Sequence, residues 1–132
     1  MSVELDYGLL TFTVLSAAEV HTKIGSAVPM SGMVFVSVPV EMSYTGTQTY
    51  VHAISDSVLA AGDGVAYRPD PIGAMAIPGL DGGKNTFWVL SIPSGTSTQG
   101  IFVFQIPSNA VEGSHFRVGA KSNPVIPMDI GL

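Results

Sequence analysis

The segment Met33–Tyr44, MVFVSVPVEMSY, decides the fold class. Val34, Val36, Val38, Val40 and Met42 recur at every second residue, and Phe35, Ser37, Pro39 and Glu41 fill the alternate positions. A period of two belongs to a strand, whose successive side chains point to opposite faces. A helix would need apolar residues at a 3.6 period over about ten residues, which this segment does not offer. Pro39 cannot donate to a ladder, so an edge or a bulge is expected there. Thr45-Gly46 reads as a turn, and residues 47–54 as the returning arm of a hairpin.

Working outward, the rest of the chain repeats this grammar. Residues 9–15 (LLTFTVL) and 101–106 (IFVFQI) are rich in β-branched and aromatic side chains. Residues 18–24 place Ala18, Val20, Thr22 and Ile24 on one face and Glu19, His21 and Lys23 on the other. Residues 114–120 alternate likewise, with Phe116, Val118 and Ala120 inward and His115 and Arg117 outward. Further strands are expected at 65–67, 74–77, 86–92 and 125–128, and a flexible polar turn at 94–99. Residues 60–83 are dense in turn signals: Asp63-Gly64, Pro69-Asp70-Pro71, Pro78-Gly79 and Asp81-Gly82-Gly83. Eight or nine short strands at intervals of about 8 to 12 residues predict one all-β domain over residues 1–132, an antiparallel β-sandwich. Parallel βαβ architecture would need crossover helices that the sequence does not supply.

Composition narrows the function classes. Charged residues are 11% of the chain against a usual value of about 25%. With 46% hydrophobic residues, the surface must be made largely of Ser, Thr, Gly, Asn, Gln and apolar side chains. The five cations, Lys23, Arg68, Lys84, Arg117 and Lys121, are scattered, so no nucleic-acid partner is expected. The longest apolar stretch is too short for a membrane helix, which needs about 18 residues or more, and no membrane partner is expected. The N-terminal Met-Ser-Val-Glu-Leu-Asp lacks the basic and apolar regions of a secretory signal. With no cysteine, there is no disulfide and no thiolate site.

Residues 101–118 (IFVFQIPSNAVEGSHFRV) resemble the closing half of immunoglobulin-like β-sandwich modules. The matching residues are Ile106-Pro107, Ala110, Gly113-Ser114 and Phe116-Arg117-Val118. The resemblance implies that Pro107 ends one strand, Asn109-Ala110 cross the end of the sandwich and Gly113 permits the turn into the next. Such modules often carry a corner tyrosine near Phe116, whose hydroxyl anchors the turn; Phe cannot do this, and a jelly roll stays open as the alternative.

No pattern announces a chemistry. His21, His52 and His115 have no metal-ligand spacing, and the His52–Asp56 pair sits where Ser55-Asp56-Ser57 reads as a turn or cap. The Asp-Gly pairs at 63–64 and 81–82 are turn dipeptides and lack the spacing of a calcium loop. No nucleophile elbow, phosphate loop or carboxylate pair is present, so no catalytic residue, cofactor or metal is expected and the chain reads as non-enzymatic. Trp88, Tyr44, Tyr50 and Tyr67 offer a sugar platform, but Trp88 reads more simply as a core residue between sheets.

Two strands are apolar on both faces: Phe87 and Val89 oppose Trp88, Leu90 and Ile92, and Ile101 and Val103 oppose Phe102, Phe104 and Ile106. An antiparallel sandwich strand normally keeps one wet face. Either a loop covers the second face, with residues 60–83 as the nearest candidate, or another subunit does. Phe87, Val89, Ile101 and Val103 are therefore the candidate interface. Small size, few charges and an all-β pattern share the general character of bacteriophage decoration proteins. The leading expectation is a structural protein of a viral particle, a capsid decoration or head-auxiliary protein made in the host cytoplasm and resident in the virion. Its expected partners are a capsid or other virion protein and copies of itself, a trimer among the options. The alternative is a carbohydrate- or surface-binding sandwich module, whose mark would be an exposed Trp88 or Tyr67 beside a polar cluster.

Overall fold

The computed structural model describes residues 2–5, 9–48, 50–53, 57–70, 89–120, 123–128 and 130–131. Among them are eleven strands: β1 (Ser2–Leu5), β2 (Leu10–Val14), β3 (Glu19–His21), β4 (Met33–Tyr44), β5 (Tyr50–Ala53), β6 (Ser57–Ala60), β7 (Ala66–Tyr67), β8 (Val89–Ile92), β9 (Thr96–Pro107), β10 (His115–Ala120) and β11 (Asn123–Met128). All the pairings are antiparallel, and the fold is an all-β sandwich.

The 12-residue β4 is the spine of the first sheet. β9 runs along its whole length, from Met33↔Pro107 to Tyr44↔Thr96. The other edge of β4 is shared in tandem: β2 takes Val40 to Tyr44 and β3 takes Phe35 to Ser37, with β1 outside β2. Pro39 stands at the junction. Its carbonyl accepts the Leu15 N–H at 3.0 Å, but it has no N–H to return, and the neighbouring strand breaks between Val14 and Glu19. The irregularity expected at Pro39 is thus a break in its neighbour rather than in β4 itself.

The second sheet has the order β11-β10-β6-β7, and β5 pairs β8 as a separate ribbon. The core lies between the sheets. Phe12, Val36, Val38, Met42, Phe102, Phe104 and Ile106 come from the first sheet, and Leu59 and Phe116 from the second. Phe116 is the hinge of this packing, with ring centroids 5.3 Å from Phe102 and 5.9 Å from Phe104. Each fully buried Phe contributes about 2 kcal/mol of apolar transfer.

Three local expectations need correction. The hairpin of 33–44 with 47–54 does not form: β4 pairs β2, β3 and β9, while β5 pairs β8. A turn dipeptide sets the local bend, but burial of a two-sided spine sets the partners. The flexible turn at 94–99 shrinks to Ser94-Gly95, because β9 already begins at Thr96 and zips against the polar end of β4. The strand expected over 18–24 is regular only for Glu19–His21; Ala18 enters the main core, Ile24 turns to the opposite face and Val20 is exposed. The strands expected at 65–67, 86–92 and 125–128 correspond to β7, β8 and β11 in the described residues, whereas 74–77 and Trp88 lie outside them.

The resemblance at 101–118 translates directly into geometry. β9 ends at Pro107, a 3-10 turn spans Ser108–Ala110, and Ala110 is buried. Gly113 has φ +81°, a left-handed conformation that a side chain would strain. Ser114 then closes the corner, its hydroxyl donating to the Val111 carbonyl at 2.6 Å.

Candidate functional site

The second face of the β4–β9 pair is covered by the chain itself. Ile24, Phe35 and Val103 form a small apolar cluster, each 2% exposed or less, with Ala27 and Ile101 packed against it. A tight turn brings Ile24 there: Ile24 and Ala27 exchange both backbone hydrogen bonds, at 3.0 and 2.9 Å, across Gly25 at φ +57°. On the edge of β9 away from β4, the Asp70 N–H donates to the Val103 carbonyl at 2.7 Å. The cover thus comes from residues 24–27 on the face and from the end of the 60–70 stretch on the edge.

Two of the four candidate interface residues can be placed. Val103 is sealed at 1% exposure and presents nothing to a partner; Ile101 is half-buried beside it. Val89 lies in β8, with its side chain outside the description, and Phe87 lies outside the described residues. The most exposed of the large apolar side chains described sit elsewhere: Val28 at 70%, Met30 at 68% and Val65 at 48%.

Met30 stands at the mouth of an open pocket of about 290 Å³. Met30, Met33, Tyr67 and Pro69 supply its apolar lining, and Arg68, Asp70 and Gln105 its polar part. Three separate segments meet here, and Gln105 ties them together. The Gln105 side-chain oxygen accepts the Met30 N–H at 2.6 Å, and its amide nitrogen donates to Asp70 at 3.4 Å. Tyr67 is fixed from outside: its hydroxyl donates to Asp63 at 2.9 Å, while the other Asp63 oxygen accepts the Val65 N–H at 3.0 Å. Partial withdrawal from water, and then the Asp63 carboxylate, push the Tyr67 phenol above its ordinary pKa. Asp63-Gly64 is therefore a turn, as read from the dipeptide, and also the tether of an aromatic ring. Arg68 is exposed and makes no hydrogen bond or ion pair among the described residues.

A second polar pair was invisible in the sequence because its members are 16 residues apart. His21 Nε2 lies 2.8 Å from the Ser37 hydroxyl, on the outer face of β3 and β4. A serine–histidine bond is half of a nucleophilic constellation, but the arrangement is not one. Glu19 approaches the same nitrogen at 3.8 Å instead of orienting the ring through Nδ1, and Ser37 is 4% exposed. The bond pins β3 onto β4 and satisfies a buried hydroxyl. His52 lies in β5 with its side chain outside the description, and His115 is half-buried on β10. Among the described residues, no group of three or more His, Asp and Glu gathers that could hold a metal. Nor is any of their helices long and apolar enough to cross a membrane.

The sequence matches no protein-family model, and no curated protein is similar to it. Its fold, however, is shared by solved structures. A conserved hypothetical protein from Bacillus anthracis superposes with a TM-score of 0.67 at 14% identity, over 98% of this chain and 94% of that one. An uncharacterised β-sandwich protein from Clostridium difficile gives 0.52 at 14% identity, over 98% and 90%. A putative lipoprotein from Bacillus subtilis gives 0.58 at 13% identity; it covers 98% of this chain, which spans 38% of that protein. At these identities the likeness is one of fold.

Proposed function

We propose that this chain is a non-enzymatic structural protein that works by holding another protein surface, in the first place as a decoration or head-auxiliary protein on a viral shell. The observation that carries the binding reading is apolar surface left in water on a chain poor in charge: Val28 and Met30 are 70% and 68% exposed, and only 11% of residues are charged. Interface cores are depleted in charge, and Met is a common adaptable contact residue. Small size and neutral contacts suit repetitive packing on a symmetric shell, and they support the virion setting and a homo-oligomer, with a trimer among its forms. Mass in solution by light scattering, followed by cosedimentation with assembled particles, tests it. A strictly monomeric chain that binds no particle would overturn it.

A second reading has its own observation. Tyr67 is half-exposed, with Asp63, Arg68, Asp70 and Gln105 around it, which is the mark expected of a carbohydrate- or surface-binding module. The immunoglobulin-like motif of residues 101–118 supports this setting by analogy, since such sandwiches often serve as binding modules. Saturable binding of a sugar in a panel of mono- and oligosaccharides is its expected result, and silence across the panel removes it.

A further inference from the structure

We infer that the Met30–Tyr67 pocket is the point at which this chain grips a partner protein, and that it takes one apolar side chain flanked by a carboxylate. The inference rests on the protein-contact reading above and names its site. Three features of the pocket choose the occupant.

The first is the lining. Met30, Met33, Tyr67 and Pro69 make it mostly apolar, and its volume of about 290 Å³ lies at the small end of ligand sites. That space takes one apolar side chain with room for the group beside it. The unbranched thioethers of Met30 and Met33 adapt to the shape of whatever enters.

The second is how the polar groups are used. Gln105 spends its oxygen on the Met30 N–H and its nitrogen on Asp70, and the Tyr67 hydroxyl is turned to Asp63. A sugar's hydroxyls lose water on entry and must be repaid in hydrogen bonds, for which these groups have fewer positions left. An apolar side chain needs none of them. The same bonds keep the walls in place before binding, which lowers the ordering cost.

The third is charge. Arg68 is exposed at the pocket and has no partner among the described residues, whereas Asp70 is engaged by Gln105. A guanidinium accepts a carboxylate in two parallel hydrogen bonds, so an acid beside the apolar group completes the fit. Met30, 68% exposed, carries the apolar lining out into water, as a contact with a protein requires.

Selective labelling of the Met methyl groups gives a direct readout, since the chain has six methionines. The full chain is titrated with N-acetyl-leucine, N-acetyl-leucinamide and N-acetylglucosamine. The expected result is saturable shifts of the Met30 and Met33 signals with both leucine derivatives, the acid binding about threefold tighter, as an exposed ion pair allows. Arg68→Gln should erase the difference between acid and amide. Met30→Glu, at an exposed position where folding is not at stake, should weaken both. Shifts with N-acetylglucosamine alone, or none with either leucine derivative, would overturn the inference. The wider reading is judged separately: if Met30→Glu leaves oligomerisation or particle binding intact, the pocket assignment fails while the contact function stands.

Discussion

At the scale of single residues, the core and the turns carry different consequences. Phe116 is fully buried and is the ring from the second sheet that meets Phe102 and Phe104 of the first. Phe116→Ala should cost about 3 to 5 kcal/mol, since it opens a cavity that two rigid sheets cannot close. Urea unfolding measures it, and a loss under about 1 kcal/mol would mean that the sheets are not joined through this ring. Tyr67 makes the opposite kind of prediction. Its folded-state pKa is raised above the ordinary 10.0, so the stability it lends is complete below that pH and is lost as pH rises through the raised value. Asp63→Asn keeps an oxygen for the Val65 N–H but removes the charge facing the phenol. Alkaline absorbance titration should then show one of the four tyrosines ionising at lower pH, and the variant should lose less stability on the alkaline side. An unchanged titration would mean that Asp63 does not act on the phenol. Of these residues the sequence exposed Phe116 through strict alternation and Asp63 through its turn dipeptide, but not their partners, which arrive from distant segments.

Elements were legible where one face is apolar and the other wet, and their pairing was not. β4 and β10 follow from alternation, and the 101–106 part of β9 from its run of β-branched and aromatic residues. Their neighbours depend on which edges the finished sheets leave open, and no local pattern encodes that. The two-sided apolar pattern of 101–106 was readable as a covered face, but the cover had to be found in space. Residues 24–27 supply it, although Ile24 looks in the sequence like a continuation of the strand before it. The cover is itself testable. Ile24 is 2% exposed and closes the cluster over Phe35 and Val103. Ile24→Ala should destabilise the chain by about 2 kcal/mol, at the low end for such truncations because the site lies near the surface and can partly collapse. The Ile24 and Ala27 amides, which bond reciprocally, should exchange faster with solvent in the variant. Unchanged exchange would show that the turn holds without its apolar anchor. The pocket was hidden for the same reason as the cover. Met30, Tyr67 and Gln105 belong to three segments, and of them only Tyr67 stood out in the sequence as a candidate.

At the scale of the whole molecule, the scarcity of charge has a measurable signature. The ion pair of His21 with Glu19 is 3.8 Å long and 70% exposed on the Glu side, too open to water to contribute much. Association built on such a surface draws on apolar burial, which salt does not screen. Screening lengths fall from about 14 Å near 50 mM salt to about 4 Å near 500 mM, so a contact steered by charge loses affinity steeply over that range. Here the loss should be confined to what Arg68 contributes at the pocket, about threefold, as for an exposed pair. The measurement is self-association, or binding to particles, by sedimentation at both salt concentrations. Stronger binding at high salt in sulfate would agree with an apolar contact, because sulfate favours the burial of apolar surface. A loss of tenfold or more in chloride would place the driving force in charges that this sequence barely possesses. The contact would then have to be sought among the few acids on the surface rather than at Val28 and Met30.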